Sequence, residues 1–429
     1  MVKNGYENRI LKLESRGIFP DRPPGLEGMR EGLARFLVDL RIDPKRVILV
    51  AGTNGKGSVS ATLEALLLHA GQTVGLYTSP HLEETTERFR VNGQDISVET
   101  FCHIYDRVLE RTIDLKLSHF EFLTLMAAWL FFSVEKDFPA KPDWSIFEVG
   151  LGGLWDATNA IPHSNCIITS LGHDHEAFLG SSLPEISINK FGIVQTNAEV
   201  IHSPFSREVL LVAKKVQTET KSHWVERAPY LFKVTQSENR EPKFFIETQW
   251  GNAELALAGP RAAENSAIAL SAFQNLGFNP ALHLHALKAV RWSGRMERTS
   301  LPEAPCPVYF SGDHNPEGIQ SLIELLKDYS RNQILFLVGV SEDKDLEKIL
   351  KPLADLQNSS LFLTQSPFRG RLLQDYGHWL SRSHGSHVDP IQALKKAINH
   401  AKAGDLVVVT GSLYLIGYLK RHLRDKKNL

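Results

Sequence analysis

A glycine-rich stretch near the start of the chain has the residue types needed to hold a phosphate group. It reads Gly-Thr-Asn-Gly-Lys-Gly-Ser at 52–58, after a strand-like apolar run at 46–50 and before a helical pattern at 60–68. A strand, a glycine turn and a helix N-terminus in this order point backbone N–H groups at an anion. The loop offers Thr53, Asn54, Gly55, the cation of Lys56, Gly57 and, as a hydroxyl for Mg²⁺, Ser58.

The spacing of this stretch departs from the standard P-loop pattern. Only two residues separate Gly52 from Gly55, and a glycine stands between Lys56 and Ser58. A glycine turn that binds no phosphate is therefore the alternative interpretation. The strand before it, the lysine and serine within it and the helix after it favour phosphate binding. We call residues 52–58 the phosphate loop.

Polar residues also follow two later candidate strands. Glu148 ends an apolar run at 144–147, and Asp174 and His175 follow another at 166–170. In open α/β sheets, ligands bind at the carboxyl ends of the strands. A carboxylate in that position suits Mg²⁺. The structural alternatives are a capping or ion-paired acid for Glu148 and a loop histidine for His175.

Composition narrows the class of protein. The chain has 429 residues, 42% of them hydrophobic, which indicates a globular protein of two domains. Its 48 Lys and Arg residues nearly balance its 49 Asp and Glu residues, so no overall field attracts nucleic acid or an anionic membrane. The three cysteines lack metal-type spacing, and the chain shows no apolar signal region or membrane-length run. We therefore expect a cytoplasmic protein.

The order of the elements predicts an α/β fold in two parts. Residues 1–293 carry the phosphate loop and candidate antiparallel strands at 231–257, and end with a helix near 282–290. A hinge is expected at 292–297. Residues 294–429 alternate helices with strands at 308–310, 334–338, 361–364 and 406–410. This alternation predicts a second, smaller doubly wound domain.

A series of motifs, taken in chain order, resembles the dihydrofolate synthase/folylpolyglutamate synthase family of the Mur ligase superfamily. The ordered set covers nearly the whole chain and is far more specific than any one motif. It implies a P-loop-containing Mur-ligase-like ATPase domain at 1–293, followed by a Rossmann-like glutamate-ligase domain at 294–429. The matching pieces are the phosphate loop, residues 78–82, 87–93, 148–159 and 169–180, Lys190 with Gly192 and Ile193, and residues 294–297, 314–316, 343–345 and 411–414.

The resemblance also implies an activity. Members of this family use ATP to join L-glutamate to the carboxylate of dihydropteroate or to the last glutamate of a folate, through an acyl phosphate. It implies ATP and Mg²⁺ as cofactors, a pterin or folate acceptor and L-glutamate as substrates, no nucleic acid, no membrane and a monomer. Acceptor, γ-phosphate and amine must be aligned, so the chemistry is expected to wait for closure of the two domains.

Four residues match the metal ligands of the family, namely Ser58, Glu148, His175 and Lys190. The family carries this lysine as a carbamate, an anion that can hold a second Mg²⁺. Imidazole is an unusual Mg²⁺ ligand, so His175 rests mainly on the resemblance. The usual Glu-Lys-Ala around the lysine reads Asn189-Lys190-Phe191 here. A solvated surface lysine is the ordinary alternative.

Three further residues match positions for nucleotide and glutamate. Asn265 matches an adenine-side asparagine, Arg295 a hinge arginine that reaches the ATP phosphates, and His314 a histidine near the γ-phosphate and the incoming glutamate. The planar fork of an arginine suits an anion with several oxygens. The resemblance thus implies that Arg295 and His314 act with Lys56 and Lys190 in catalysis. Each also has a structural alternative as a polar or ion-paired contact.

Two departures from the family pattern fall in this nucleotide region. The acid that would hold the ribose is replaced by Ser311, and Asp313 stands two residues later. Either Asp313 takes over ribose binding or ribose binding is weaker. The family's His-Gln ahead of the asparagine reads Arg261-Ala262, which puts the adenine contacts in question.

The acceptor-binding loops match at Thr78, Ser79, Pro80, His81, Arg88 and Asp156. The resemblance implies that Asp156 hydrogen-bonds the N–H groups of a pterin, and a loop-capping aspartate is the alternative. The family's Arg-Leu ahead of this aspartate reads Leu154-Trp155. The change removes a cation and adds an aromatic surface, which either stacks on a ring of the substrate or packs within the protein.

Two other functions remain open at this point. A Mur ligase that uses a different amino acid would share the ATP chemistry, but those enzymes usually place a UDP-binding domain before the phosphate loop, where this chain has little sequence. A family member that binds nucleotide or folate without catalysis is favoured by Ser311, Arg261 and Ala262. The sequence does not distinguish dihydrofolate synthase from folylpolyglutamate synthase.

Overall fold

The computed structural model describes residues 2–17, 25–135, 141–236, 242–299, 301–329 and 331–427. The chain divides into two compact units whose segments interleave in sequence. Unit 1 comprises Met1–Tyr230, Thr248–Asn252 and Glu264–Val290, and unit 2 comprises Leu231–Glu247, Ala253–Ala263 and Arg291–Leu429. The functional boundary between residues 293 and 294 stays a prediction.

A mixed sheet forms the centre of unit 1. Within the described residues its strand order is β4-β3-β2-β5-β1-β6-β7-β8, and all strands from β2 to β8 along this order run parallel. The antiparallel β3 and β4 form one edge. The strands are β1 (Val47–Ala51), β2 (Val74–Tyr77), β3 (Phe89–Val91), β4 (Gln94–Asp95), β5 (Trp144–Glu148), β6 (Asn165–Ile168), β7 (Glu199–His202) and β8 (His223–Glu226).

The central strand β1 places the phosphate loop between two other strand ends. Every residue of β1 is buried, as expected of a parallel strand covered on both faces. Val50 pairs with Glu148 at the end of β5, and Ala51 pairs with Ile168 at the end of β6. The chain segments that follow β1, β5 and β6 therefore emerge side by side at one edge of the sheet.

Helices cover this sheet, and α5 is the most deeply buried of them. A capping box starts it, in which Ser118 accepts from the Glu121 N–H and the Glu121 carboxylate accepts from Ser118. The helices are α1 (Val2–Glu14), α2 (Glu27–Ala34), α3 (Lys56–His69), α4 (Val98–Thr112), α5 (His119–Phe132), α6 (Glu176–Leu179), α7 (Leu183–Phe191), α8 (Arg207–Thr220) and α9 (Pro260–Asn275), which continues into unit 2.

Unit 2 contains a second mixed sheet and a small three-stranded sheet. Among the described residues the larger sheet has the order β12-β13-β17-β14-β15-β16 and the smaller one β11-β10-β9. The strands are β9 (Tyr230–Gln236), β10 (Pro242–Thr248), β11 (Gly251–Leu255), β12 (Glu297–Thr299), β13 (Val308–Phe310), β14 (Ile334–Val338), β15 (Ser359–Thr364), β16 (Gly385–His387) and β17 (Leu406–Thr410). The helices are α10 (Pro316–Leu326), α11 (Leu346–Ala354), α12 (Trp379–Arg382), α13 (Pro390–His400) and α14 (Leu413–Lys427).

The predicted α/β class is confirmed, and the structure adds detail at two places. The helix predicted near 282–290 is present as a 3₁₀ helix, Leu284–Ala289. Its buried residues Leu284 and Leu287 are three apart, the spacing that aligns side chains in a 3₁₀ helix. The last residue of the predicted hinge, Glu297, is the first residue of strand β12, which pairs antiparallel with β13, and the hinge itself stays a prediction. In the described part of the chain, no helix combines the length and apolar character needed to cross a membrane.

Candidate active site

The phosphate loop is held by backbone and hydroxyl contacts to the segment after β6. Gly52 has φ 144°, and a Cβ at this position would lie 1.9 Å from Thr169 Oγ1, so only glycine fits. Thr53 N–H donates to the Ser170 carbonyl at 2.7 Å, and Thr169 Oγ1 donates to the Asn54 carbonyl at 2.7 Å. The loop shape is thus fixed by a neighbouring strand end. The contact from Thr169 was missed by sequence reasoning.

Helix α3 begins at the loop lysine. Lys56 Nζ lies 3.2 Å from the Gly52 carbonyl and 3.3 Å from the Thr53 carbonyl, so two loop carbonyls hold the ammonium over its own turn. Ser58 is buried in the first turn of α3, where unpaired helix N–H groups favour an anion. The structure therefore gathers the cation, the hydroxyl and the helix N-terminus at one place.

Lys190 is a buried lysine and contacts the phosphate loop. Its side chain is carried by α7, is 4% exposed, and donates from Nζ to the Gly52 carbonyl at 2.8 Å. Burial and then the positive charge of Lys56 lower its pKa to about 7, and Asp174 and Asp156 oppose that shift. A neutral amine is therefore substantially populated near neutral pH. This position excludes the solvated surface lysine that was the alternative.

Glu148 and the acceptor loop meet directly. The Glu148 carboxylate is buried at the end of β5, and its Oε2 accepts a hydrogen bond from the Ser79 N–H at 3.0 Å. Arg88 Nε donates to His81 Nδ1 at 2.9 Å, and the Arg88 carbonyl accepts from the Thr78 N–H at 3.0 Å. Since arginine can only donate, the proton of neutral His81 lies on Nε2.

The predicted metal ligands differ in how they are placed. Ser58 and Glu148 are buried oxygen donors, the type that Mg²⁺ takes. His175 has φ 53°, its side chain is 46% exposed, and its Nε2 lies 3.9 Å from Asp174 Oδ2. In the part of the chain that the structure describes, no three His, Cys, Asp or Glu side chains form a metal-binding group. The oxygen donors fit a Mg²⁺ ion that takes its other ligands from phosphates and water.

Asp156 is fully engaged in shaping its own loop. Its Oδ2 accepts from the Gly150 and Leu151 N–H groups, each at 3.0 Å, while Oδ1 accepts from the N–H and hydroxyl of Thr158. Burial raises the pKa of Asp156, and these hydrogen bonds oppose that shift. The geometry favours the loop-capping interpretation, because a direct bond to a pterin would require one of these contacts to open.

Two aromatic residues beside the acceptor loops were missed by sequence reasoning. A Cβ at Gly150 would lie 2.7 Å from Phe120 Cζ, and the rings of Phe120 and Tyr77 are 6.0 Å apart. Phe120 lies in the first turn of α5, and Tyr77 ends β2. Only the aromatic-rich start of an apolar helix could have drawn attention to Phe120.

The predicted residues of unit 2 gather at the end of β13. Ser311 Oγ donates to Asp313 Oδ2 at 2.6 Å, and Arg295 Nη1 lies 3.8 Å from Asp313 Oδ1. His314 Nδ1 lies 2.8 Å from the Gly312 carbonyl and therefore carries the proton. Arg295 is 35% exposed and Asp313 16% exposed in their side chains. The serine that replaces the expected acid thus holds the aspartate two residues later.

Comparison with known proteins gives the family. Residues 294–413 match the family model described as "Mur ligase, glutamate ligase domain". The chain is 30% identical over 428 residues to the dihydrofolate synthase/folylpolyglutamate synthase of Bacillus subtilis, covering 94% of this chain and 95% of that protein. The chain belongs to the dihydrofolate synthase/folylpolyglutamate synthase family. It is therefore a member of a family of ATP-dependent glutamate ligases.

Solved structures of the dihydrofolate synthase/folylpolyglutamate synthase family share the fold over the full length. The Escherichia coli protein in complex with DHPP and ADP gives a TM-score of 0.83 at 28% identity and covers 98% of both chains. A bifunctional family member with Mn, AMPPNP and L-glutamate bound gives a TM-score of 0.79 at 27% identity and covers 97% of both chains.

The departures from the family pattern have local structural explanations. Phe191, where the family has alanine, packs in unit 1 with ring centroids 5.4 Å from Phe205 and 5.1 Å from Trp224. Arg261, where the family has histidine, donates to the Glu317 carbonyl within unit 2. Asn265, which the family pattern retains, lies against Gly55, where an added Cβ would be 2.3 Å from Asn265 Oδ1.

Proposed function

We propose that this protein is an ATP-dependent ligase that adds L-glutamate to dihydropteroate, to folylpolyglutamate or to both. The observation that carries the proposal is the buried amine of Lys190 at 2.8 Å from the Gly52 carbonyl of the phosphate loop. A buried lysine beside a second lysine is unfavourable for stability, so a functional reason for it is expected. Membership of a glutamate ligase family supplies the reaction class.

The proposed reaction has two steps. The acceptor carboxylate attacks the γ-phosphorus of ATP, the bond from that phosphorus to the bridging oxygen breaks, and ADP leaves with the electron pair. The neutral amine of glutamate then attacks the acyl carbon, inorganic phosphate leaves, and the amine loses a proton. The phosphate loop N–H groups and Lys56 would hold the transferred phosphoryl group, which is the main form of catalysis in such transfers.

The acceptor-side residues would orient the carboxylate. Arg88 fixes the His81 ring through Nδ1 at 2.9 Å, so that the proton of the neutral ring lies on Nε2. Thr78, Ser79 and Pro80 form the backbone beside them, and Ser79 is anchored to Glu148. A carboxylate held in one orientation reacts faster because less entropy is lost on reaching the transition state.

Mg²⁺ would be held by Ser58 and Glu148, with His175 and a carbamylated Lys190 as the further predicted ligands. When bound, it neutralises phosphate charge. A carbamate at Lys190 retains one N–H, so the hydrogen bond to the Gly52 carbonyl can persist after CO₂ adds to the neutral amine. A crystal structure from bicarbonate-containing buffer tests this, and density that ends in a bare amine at Lys190 would argue against the carbamate.

In unit 2 we propose that Asp313 replaces the missing ribose-binding acid. Support comes from the Ser311 hydroxyl, which holds its carboxylate, and from Arg295 at 3.8 Å. The roles of Arg295 toward the phosphates, of His314 toward glutamate and of Asn265 toward adenine stay predictions, as do domain closure, the boundary at 293–294 and the monomeric state.

One assay tests the function and names the acceptor. Phosphate release with Mg-ATP and L-glutamate is measured in parallel with dihydropteroate and with tetrahydrofolate, and the glutamates added are counted by mass spectrometry. Turnover with one acceptor or with both assigns the activity. Retained ATP binding without turnover would instead support a non-catalytic binder, and turnover with another amino acid alone would support a different Mur-type ligase.

A further inference from the structure

Helix α3 buries a second charged residue that the proposed reaction does not use. Glu64 lies eight residues after Lys56 and is 2% exposed. Its Oε2 lies 3.1 Å from Arg90 Nη2, and its Oε1 accepts from the Gly93 N–H at 3.2 Å. Both carboxylate oxygens therefore bind the hairpin formed by β3 and β4. We call Glu64 and Arg90 the helix–hairpin pair.

Arg90 is tied to the same hairpin from its other side. Its Nη2 donates to the Gly93 carbonyl at 3.0 Å, and its Nε lies 3.7 Å from Asp95 Oδ1. The turn also packs on the helix, because a Cβ at Gly93 would lie 3.3 Å from Leu68 Cδ1. The hairpin is thus fixed to α3 by directional contacts as well as by packing.

The hairpin leads directly into the acceptor-side residues. Strand β3 starts one residue after Arg88, and Arg90 pairs in register with Leu76 of β2. Two residues further along this pairing, the Arg88 carbonyl accepts from the Thr78 N–H at 3.0 Å. A slip or tilt of β3 against α3 would therefore move Arg88, and with it His81 at 2.9 Å. The phosphate loop stands at the start of the same helix.

Stability alone does not explain a buried pair of this kind. Desolvation of two charges commonly offsets their attraction, and apolar replacements of similar volume are often neutral or stabilising. The hydrogen bonds of Glu64 and Arg90 with the Gly93 backbone fix an orientation that apolar packing would leave free. The geometry therefore favours the interpretation that Glu64 and Arg90 position neighbouring residues.

We propose that Glu64 and Arg90 are positioning residues that hold Arg88 and His81 in register with the phosphate loop. The inference rests on the proposed acceptor role of these two residues. Helix α3 would then have two roles. It would carry the phosphate-binding residues at its start and align the acceptor-side residues about two turns later. The expected signature is a change confined to acceptor binding.

The test compares a charge-only change with an apolar replacement of the whole pair. Glu64→Gln keeps an oxygen for the Gly93 N–H but removes the charge, and the double variant Glu64→Leu/Arg90→Met keeps volume without directional bonds. The double variant should retain the melting temperature while the KM for the acceptor rises about 10-fold and the KM for ATP changes less than about 2-fold. Glu64→Gln should lie between it and the unaltered protein.

Two single variants act as controls. Asp95→Asn removes only the distant, half-exposed partner, and Asp114→Asn breaks the exposed ion pair with Arg35 at 2.8 Å elsewhere in unit 1. Both should leave the acceptor KM within about 2-fold, as expected for exposed pairs. An unchanged acceptor KM in a folded double variant, or an equal rise in both KM values, would overturn the inference.

A readout without turnover separates this inference from the proposed function. The ring of His81 in histidine-labelled protein, assigned with His81→Gln, should change its NMR shifts in the double variant and keep them in Asp114→Asn. If the unaltered protein releases no phosphate with any acceptor, the proposed function fails. The His81 shifts would still show whether the helix–hairpin pair positions the ring. Unchanged His81 shifts in the double variant would refute positioning of the ring by the helix–hairpin pair.

Discussion

The two units hold their candidate site residues in different ways. In unit 1 Lys190 is 4% exposed and Glu148 and Asp156 are each 5% exposed, and each is hydrogen-bonded to a backbone N–H or carbonyl group. In unit 2 Arg295 is 35% exposed and Asp313 16% exposed in their side chains, and their contacts run between side chains. One set is built into the backbone, whereas the other is held near the surface.

Because of this difference, the site residues of unit 1 are held in one orientation, whereas those of unit 2 can change orientation. Buried groups fixed by backbone contacts keep their orientation and act in a low-dielectric surrounding, but burial of charge lowers stability. Exposed side chains held by one hydroxyl and one longer ion pair can move with little loss of stability. Substitution of a buried charged group in unit 1 can therefore change stability as well as activity, while substitutions in unit 2 should change activity alone.

The largest effect is expected from the cation of the phosphate loop. Lys56→Ala should lower kcat by about 10³-fold or more, because it removes the charge next to the transferred phosphoryl group. The fold should persist, since among the described residues the ammonium is hydrogen-bonded to two carbonyls of its own loop. Lys45→Ala, at an exposed lysine before β1, is the matched control. Activity retained in Lys56→Ala would remove the assigned role of the loop.

Lys190→Met tests the link between burial and function in unit 1. Methionine fills a similar volume without a charge to bury, so the melting temperature should stay the same or rise. Turnover should fall by about 10²-fold, the size typical of losing a metal-supporting or charge-stabilising group. Calorimetry and the phosphate-release assay measure both quantities. A loss of stability with unchanged turnover would show that Lys190 is structural.

Buried Glu64 predicts a pH-dependent stability in unit 1. Burial raises its pKa from 4.5 to about 7, against the opposing effect of Arg90. Between these values the folded state binds more protons than the unfolded state, so this group makes the protein less stable as the pH rises from about 4.5 to about 7. The change is at most about 3 kcal/mol. Urea unfolding at several pH values should show this slope in the unaltered protein and lose it in Glu64→Gln.

Much of the frame and of the phosphate loop could be predicted from sequence. The strands at 308–310, 334–338 and 406–410 were predicted with the bounds that the structure gives, because short buried strands between turn residues have a strong local pattern. The phosphate loop lies between a buried strand and a helix, as predicted. These features depend on residues that are close in sequence.

The contacts that give the site its properties depend on residues far apart in sequence. Lys190 meets the Gly52 carbonyl across 138 positions, and Thr169 meets Asn54 across 115. No local sequence pattern predicts either contact, and none predicts the burial that lowers the pKa of Lys190. Asp156 shows the same limit, since its four hydrogen bonds, from Gly150, Leu151 and Thr158, became visible only with the loop in three dimensions.

Variants at Ser311 and Asp313 test whether the site residues of unit 2 can be changed without loss of stability. Asp313→Ala should raise the KM for ATP about 10-fold, the effect of losing a hydrogen bond to a charged group, without a change in melting temperature. The double variant Ser311→Asp/Asp313→Ala restores the family's order and should return the KM to within about 3-fold of the original. An unaltered KM in Asp313→Ala would mean that this aspartate does not bind the ribose.

Trp155 is an exposed residue within unit 1 and gives the smallest expected effect. It is 51% exposed, and the structure gives it no ring contact or hydrogen bond to another described residue, although neighbouring Leu154 N–H is bonded to the Asn189 carbonyl at 2.8 Å. Half exposure argues against simple packing and favours stacking on an aromatic ring of the acceptor.

If exposure rather than membership of a unit decides the outcome, Trp155→Ala should behave as the unit 2 variants do. The acceptor KM should rise about 3- to 10-fold, as expected for losing one aromatic pair, with no change in melting temperature. Trp155→Phe should keep most of the affinity because a flat ring remains. A lower melting temperature with an unchanged acceptor KM would show that the indole packs against the protein. The effects of the substitutions would then depend on the unit in which the residue lies and not on its exposure.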